Sequence, residues 1–448
     1  MLEENAQTIV ELLKEKQFPK AKELLIDMNE VDIAEIFGLV PNADMLLMFR
    51  ILPKTLAAEV FAYLEKDDQA TIVSAFTDAE LAPLLKQLFI DDVADLVEEV
   101  PANVASKILK NADEAERSML NQILKYPENS AGSILTTEYV SLKKQMTIEQ
   151  AIKSIRKNGL KKETIYTCYV TDENRILQGI ISLRKLVLSE PTLVIEDIYE
   201  EDCIYVYTND DRETAAKKFR KYGFIALPVV DNEKRLVGII TVDDIMHIME
   251  QEVTEDFLKM AAMQPSEEKY LDMSAFNLAK HRIFWLMLLM VTQIFTGGII
   301  EKFTTLLAQY TILTAFIPMI MGTGGNSGNQ SSTLIIRGLA TGELTTADWL
   351  KVAWKEIRIA LYVSLILGGA MFLKNFFLSH KDIIVSLTVS LTLCFTILIA
   401  KTTGALLPML AKKLKLDPAT MAAPMITTFV DTISLLIYFS LAGFLLFN

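Results

Sequence analysis

The sequence predicts a multidomain membrane protein with three parts: an all-α N-terminal superhelical repeat domain, an α/β tandem pair, and an α-helical bundle of five transmembrane helices. Three observations carry this reading. Charge is divided along the chain: residues 281–448 hold 12 Lys+Arg and 7 Asp+Glu, whereas residues 1–280 hold 32 and 50. The C-terminal part contains uncharged runs long enough to cross a bilayer, which takes about 20 residues of helix. Between residues 130 and 255 one segment occurs twice, at a spacing of 59 residues. The totals also exclude several classes. A hydrophobic content of 51% argues against disorder, three cysteines argue against a disulfide scaffold, and a net charge of −13 argues against a dedicated nucleic-acid binder, so no nucleic-acid partner is expected.

Cys168, Cys203 and Cys394 show neither CxxC nor metal-ligand spacing, which fits a reducing compartment. His247, His281 and His380 are too scattered for a zinc site. Met1-Leu-Glu-Glu-Asn lacks a basic region ahead of an apolar one, so no signal peptide is expected.

Residues 1–128 form the first part. Ile33-Ala-Glu-Ile-Phe-Gly-Leu-Val-Pro41, Leu56-Ala-Ala-Glu-Val-Phe-Ala-Tyr-Leu64 and Val93-Ala-Asp-Leu-Val-Glu-Glu-Val-Pro101 share one hydrophobic spacing. Short amphipathic helices stacked into a right-handed or irregular solenoid fit that pattern. Nothing catalytic appears here.

Residues 129–193 and 194–255 are the two repeats. Asp172 pairs with Asp231 and Gly179 with Gly238, and each copy reads helix, strand, Asp-centred turn, strand, helix. The first copy has five extra residues between its helix and its strand. The pair resembles tandem CBS domains, a resemblance that implies an adenosine-nucleotide cleft between the repeats, for ATP or another adenosine nucleotide. Its ribose-binding pattern, Ser/Thr-x-x-Asp, survives as Thr241-Val-Asp-Asp244 but not as Ser182-Leu-Arg-Lys185. On that resemblance Thr241 and Asp244 would hold a nucleotide, with Phe224, Ala226 and Pro228 near the base. The competing reading is that Asp244 only caps the helix that follows.

Residues 246–280 are expected to form an amphipathic connecting helix leading to the membrane part, residues 281–448. Five spans are expected there: Ile283–Ile300, one within Thr304–Ile336 after a non-helical approach, Ile359–Leu378, Ile383–Ala400, and Pro418–Phe447. Ten basic residues flank one side and three the other, which places the N-terminus in the cytoplasm and the C-terminus outside the cell membrane.

Asp431 is the charge of the last span. A carboxylate at the bilayer centre costs about 2.5–3.5 kcal/mol, so such residues face a bundle interior or a wet pathway. It is either clamped by a hydrogen bond from another helix or it is a cation site. Thr427 and the Pro424 carbonyl would join it, the spacing of Pro418 and Pro424 suggesting an opened helix start. A second signal is Gly324-Gly-Asn-Ser-Gly-Asn-Gln330, in which Gly324, Gly325, Asn326, Gly328 and Gln330 stand inside an apolar run. The expectation is unwound backbone lining a pathway, together with close helix packing. Hard oxygen donors of this kind suit Mg2+ or Ca2+. Acidic clusters around Asp91, Asp211 and Asp243–Asp256 repel one another, and divalent cations would relieve that repulsion.

This order of parts, with Tyr126-Pro-Glu-Asn-Ser-Ala-Gly-Ser-Ile-Leu-Thr136 and the two membrane signals, resembles the MgtE family of Mg2+ channels over essentially the whole chain. The resemblance implies a homodimer in the membrane lipid, with a pore along the dimer axis and a cytoplasmic part that closes on binding Mg2+. It makes Asp431 the pore aspartate. It makes Asp91, Asp95, Asp211, Glu213, Asp244, Glu252, Glu255 and Asp256 sensor acids. His247 and Gly223 depart from it, standing where other members can carry an acid. A Mg2+-selective import channel is therefore expected, shut by cytoplasmic Mg2+ and modulated by nucleotide. The alternatives are a nucleotide-sensing receptor or scaffold, and a coupled divalent-cation transporter. An enzyme is not expected, because no nucleophile–base pair or metal-ligating histidine set is visible.

Overall fold

A computed structural model describes residues 2–266, 270–271, 273–421 and 423–447. The chain divides into two units, one ending at Met249 and the other beginning at Glu250.

The first unit begins with short helices from α1 (Leu2–Lys14) to α10 (Glu114–Ile123). Each repeat of the hydrophobic spacing buries the same positions: Ile33, Ala34, Ile36 and Phe37; then Ala57, Ala58, Val60 and Phe61; then Val93, Ala94, Leu96 and Val97. No helix this short is stable alone, so stacking supplies the stability. Phe49 ties successive layers together, meeting Phe37, Phe61 and Phe76 edge-on at 5.5–6.2 Å. Asp113 caps α10 by accepting from the Ala115 and Glu116 N–H groups, while Glu116 accepts in return from the Asp113 N–H.

The internal repeat folds as two sheets of identical topology. In the first, β1 (Val140–Leu142) runs parallel to β2 (Thr167–Thr171), which pairs antiparallel with β3 (Leu177–Ser182). In the second, β4 (Val206–Tyr207), β5 (Ala226–Val230) and β6 (Leu236–Thr241) repeat that order. The short β1 and β4 are additions to the sequence reading. Helices α11 (Ile148–Asn158) and α12 (Leu183–Leu188) belong to the first copy, α13 (Arg212–Tyr222) to the second. The aligned aspartates do identical work: Asp172 accepts from the Asn174 and Ile176 N–H groups, and Asp231 from those of Glu233 and Arg235. The aligned glycines admit a crossing backbone. A Cβ on Gly179 would lie 2.1 Å from the Glu200 carbonyl oxygen, and one on Gly238 would lie 2.6 Å from that of Thr136.

Helix α14 (Val242–Met260) is the connecting helix, and it is shorter than expected: it ends at Met260 and the next helix begins at Ala275, so residues 246–280 are not one helix. Ala262 has a positive φ of 54°, and Pro265 follows, which disfavours α conformation at the residue before it.

In the second unit α15 (Ala275–Lys302), α17 (Ile317–Ala340), α18 (Trp349–Leu373), α19 (Ile383–Lys413) and α20 (Ala423–Phe447) are the long helices; the short α16 (Thr304–Gln309) and a 3-10 turn precede α17. Among the described residues four helical segments are long and apolar enough to cross a membrane, within α15, α18, α19 and α20. Helix α17, diluted by its Gly/Asn/Ser/Gln stretch, is not one of the four, so the count of five spans is not reached by length and composition alone. Helix α17 nonetheless packs deeply against α19 and α20. It is also continuous through residues 317–340, which corrects the expected unwinding at Gly324–Gln330. The glycines serve contact instead. A Cβ on Gly324 would meet Val430 at 2.9 Å, one on Gly328 would meet Ile426 at 2.8 Å, and one on Gly404 would lie 2.3 Å from the Gly328 carbonyl oxygen.

Candidate functional site

Asp431 lies in the ninth position of α20 and is 5% exposed. Its Oδ1 is buried without a hydrogen-bond partner, and Asp431 forms no ion pair among the described residues. Among the described residues, no donor from another helix clamps that oxygen. Lys401, counted from sequence among the basic residues that flank the spans, is buried inside α19. Its ammonium donates to Gln330 Oε1 at 3.5 Å and leaves Asp431 alone. Thr396, which lies against the Gly324 position, also holds a buried hydroxyl oxygen with no partner. On the other side Thr432 Oγ1 lies 3.2 Å from Thr296 Oγ1 of α15.

Thr427 stands one turn before Asp431, 3.3 Å from the Asn329 side-chain nitrogen, which donates to it. Gly325 lies against it, since a Cβ there would be 2.9 Å from Thr427 Cγ2. Pro424 occupies the first turn of α20, and its carbonyl accepts from Thr428 Oγ1 at 2.9 Å in addition to the helical N–H four residues on, so both of its lone pairs are taken and it is not the freed carbonyl expected from the proline spacing. Asn326 and Gln330 are exposed, on the same face as exposed Gly322. The sequence-selected membrane residues thus fall into two groups. Asp431, Thr427, Asn329 and the contact glycines Gly324, Gly325 and Gly328 come together. Gly322, Asn326 and Gln330 form a polar stripe that this single chain leaves open.

The first unit holds a cluster of acids whose mutual repulsion and burial outweigh the nearby charge of Lys66. Asp91, on α8 (Ile90–Glu99), is 8% exposed, and its Oδ1 has no hydrogen-bond partner. Burial first, then the charges of Asp92 and Asp244, push its carboxyl well above the usual range. Burial and Asp244 carry Asp92 up to about 6. Burial, then Asp92, Asp244 and Asp243, carry Glu163 up to about 8, and its Oε2 is also buried without a partner. Asp244 is raised by burial, against a 2.6 Å hydrogen bond donated by Thr241 Oγ1. Sequence reading selected Asp91 and Asp244 but missed Asp92 and Glu163. The five-residue insertion in the first repeat was the available signal, because Glu163 stands in it.

The other selected acids are engaged locally. Asp211 caps α13 by accepting from the Glu213 N–H, and Glu213 pairs with Lys217 at 2.7 Å. In the second unit Glu255 pairs with Lys259, which also reaches Asp417 at 2.7 Å. Burial lowers the Lys259 pKa, but the two carboxylates outweigh it and hold the ammonium firmly charged. Glu252 and Asp256 lie on the same helix, and Asp95 lies on α8. Among the described residues no three such side chains converge closely enough to hold a metal ion as they stand. At the expected nucleotide cleft, Thr241 and Asp244 bond each other, Ala226 and Pro228 are buried in β5, and Phe224 stacks on Tyr222 at 5.4 Å.

A stacked-helix acidic domain, a tandem α/β pair and a membrane bundle holding a partnerless acid together define a regulated divalent-cation transporter. Family models agree with each part: an MgtE intracellular N domain over residues 28–129, CBS domains over 131–189 and 195–251, and an MgtE divalent cation transporter domain over 317–441. The magnesium transporter MgtE of Thermus thermophilus is 35% identical over 450 residues, covering 100% of this chain and 99% of that protein. That of Bacillus subtilis is 29% identical, covering 97% and 96%. A crystal structure of the cytosolic domain of the Mg2+ channel MgtE in complex with ATP matches 54% of this chain and 99% of its own, at 32% identity and a TM-score of 0.52. The chain belongs to the MgtE family. With its apolar helices, it is a multi-pass membrane protein.

Proposed function

We propose that this chain is a magnesium channel that admits Mg2+ to the cytoplasm and is closed by cytoplasmic Mg2+. The observation that carries the reading is the Asp431 carboxylate, buried in an apolar helix with an oxygen that nothing among the described residues satisfies. Leaving a buried charge unpaired is expensive, so the site is built for something that arrives. Mg2+ dehydrates reluctantly, so the ion would keep much of its water, and the Thr427 hydroxyl would contact that shell.

The exposed stripe of Gly322, Asn326 and Gln330 supports a homodimer, since polar side chains at membrane depth need a second surface or water. Two copies would bring two Asp431 carboxylates to one axis, with α17 as a fifth span. The flanking basic residues, nine on one side once the buried Lys401 is set apart and three on the other, support a cytoplasmic N-terminus.

The acid cluster of Asp91, Asp92, Glu163 and Asp244, all within the first unit, is the candidate sensor. Without a cation its charges repel. A divalent ion binds the closed arrangement better and shifts the population toward it. The Thr241–Asp244 pair supports ATP or a related adenosine nucleotide as a modulator, as does the relative crystallised with ATP.

Flux of Mg2+ into vesicles holding wild type or Asp431→Asn tests the reading. The variant should lose divalent flux at least tenfold while expression and oligomeric state hold. Undiminished flux would remove the pore assignment.

A further inference from the structure

Three consecutive residues of α17 reach three different helices. Asn329 donates to Thr427 of α20 at 3.3 Å, Gln330 accepts from Lys401 of α19 at 3.5 Å, and Ser331 Oγ donates to Glu356 Oε2 of α18 at 2.6 Å. Successive helical residues project about 100° apart, so the three contacts grip α17 over about 200° of its circumference. The Ser331–Glu356 bond anchors the set. Ser331 is 1% exposed and Glu356 6%, the distance is that of a charge-assisted bond, and Glu356 forms no ion pair among the described residues.

The contact glycines set how near α17 comes to its neighbours, but they do not fix its rotation. A helix packed through glycines presents a smooth face, and small rotations lose little contact. Rotation by a fraction of a turn would, however, withdraw Asn329 from Thr427, the residue one turn from Asp431.

We propose that Glu356 is a positioning residue. Through Ser331 it locks the rotation of α17, so that Asn329 holds Thr427 beside the cation path and the stripe of Asn326 and Gln330 faces that path. This rests on the conduction reading for its consequence, but not for its geometry. Glu356 touches no ion in this scheme, and its charge matters only as a strong acceptor for the Ser331 hydroxyl.

The test uses the full chain in detergent and in vesicles, with Glu356→Gln, Glu356→Leu and the double variant Ser331→Ala/Glu356→Leu. Glutamine keeps an acceptor oxygen for Ser331; leucine removes it at similar volume. Rotation is read directly by cross-linking Asn329→Cys to Thr427→Cys with a short bifunctional thiol reagent in a cysteine-free background. Expected is a cross-linking yield within twofold of the parent for Glu356→Gln and at least fivefold lower for Glu356→Leu. Mg2+ flux, measured in chains that keep Asn329 and Thr427, should follow the same order, with the double variant no worse than Glu356→Leu. Should leucine prevent folding, the glutamine variant still decides: flux and cross-linking both lost with Glu356→Gln overturn the proposal, because the charge itself would then be required. Unchanged cross-linking with Glu356→Leu overturns it as well. A wild-type chain that conducts no Mg2+ in vesicles refutes the conduction reading instead, and leaves the clamp to be judged on cross-linking alone.

Discussion

Proton and Mg2+ occupancy of the acid cluster should be interchangeable, and pH is the perturbation that exposes this. Carried from an ordinary 3.8 to about 6, the Asp92 carboxyl is worth about 3 kcal/mol between its protonated and ionised forms. Glu163, carried from 4.5 to about 8, adds to this, although its partial exposure screens part of the effect. Both carboxyls sit higher in the folded state than in the unfolded chain, so between about pH 4 and pH 8 the folded state binds more protons. Its stability then falls as pH rises. The window of interest begins at pH 5, because Asp78 and Glu80, lowered chiefly by hydrogen bonds from Asn111 and Thr77, weaken the fold only on the acid side. Chemical denaturation of a 1–260 fragment without divalent cations should therefore show a loss of about 3 kcal/mol or more between pH 5 and pH 8.5. Millimolar Mg2+ should restore much of that loss at pH 8.5 and almost none at pH 5, where protons already occupy the cluster. Glu163→Gln should flatten the pH slope. Stability that is flat or rising over this range, or Mg2+ protection of equal size at both pH values, would refute the reasoning.

Two further outcomes follow from the packing and the cleft. Gly404→Ala would place a methyl group 2.3 Å from the Gly328 carbonyl oxygen, so α17 and α19 must part by about 1 Å; a cost of about 1–3 kcal/mol should appear as a lower melting temperature in detergent, with Gly443→Ala, which meets open space, unchanged. Thr241→Val should weaken ATP binding to the full chain at least fivefold by calorimetry, and unaltered affinity would remove Thr241 from the nucleotide site.

Periodicity was the most legible signal. The hydrophobic spacing of the N-terminal repeats identified the buried face of α3 (Glu30–Gly38), α5 (Lys54–Ala62) and α8, because short helices have one face to bury. The 59-residue repeat identified both Asp-centred turns and both crossing glycines, since these are backbone requirements that recur with the backbone. Asp431 was legible because a carboxylate in an apolar run has few explanations. The glycine-rich stretch was misread in its backbone: glycines that break a helix in water are, inside a bundle, the residues that let helices touch, and α17 stays whole.

Local chemistry written along the chain was thus decided by sequence: which faces are apolar, where turns fall, where a charge is out of place. Pairing across long separations was decided by the tertiary structure. Glu163 joins Asp92 across 71 positions, and Ser331 joins Glu356 across 25. Lys401 counts as a flanking charge by sequence, but it is buried in α19 and meets Gln330 across 71 positions. A residue's type announces what it can donate or accept. Only the packing of helices and sheets determines which donor it meets, how much water remains, and hence whether a carboxylate is a cap, a clamp or a vacancy for an ion.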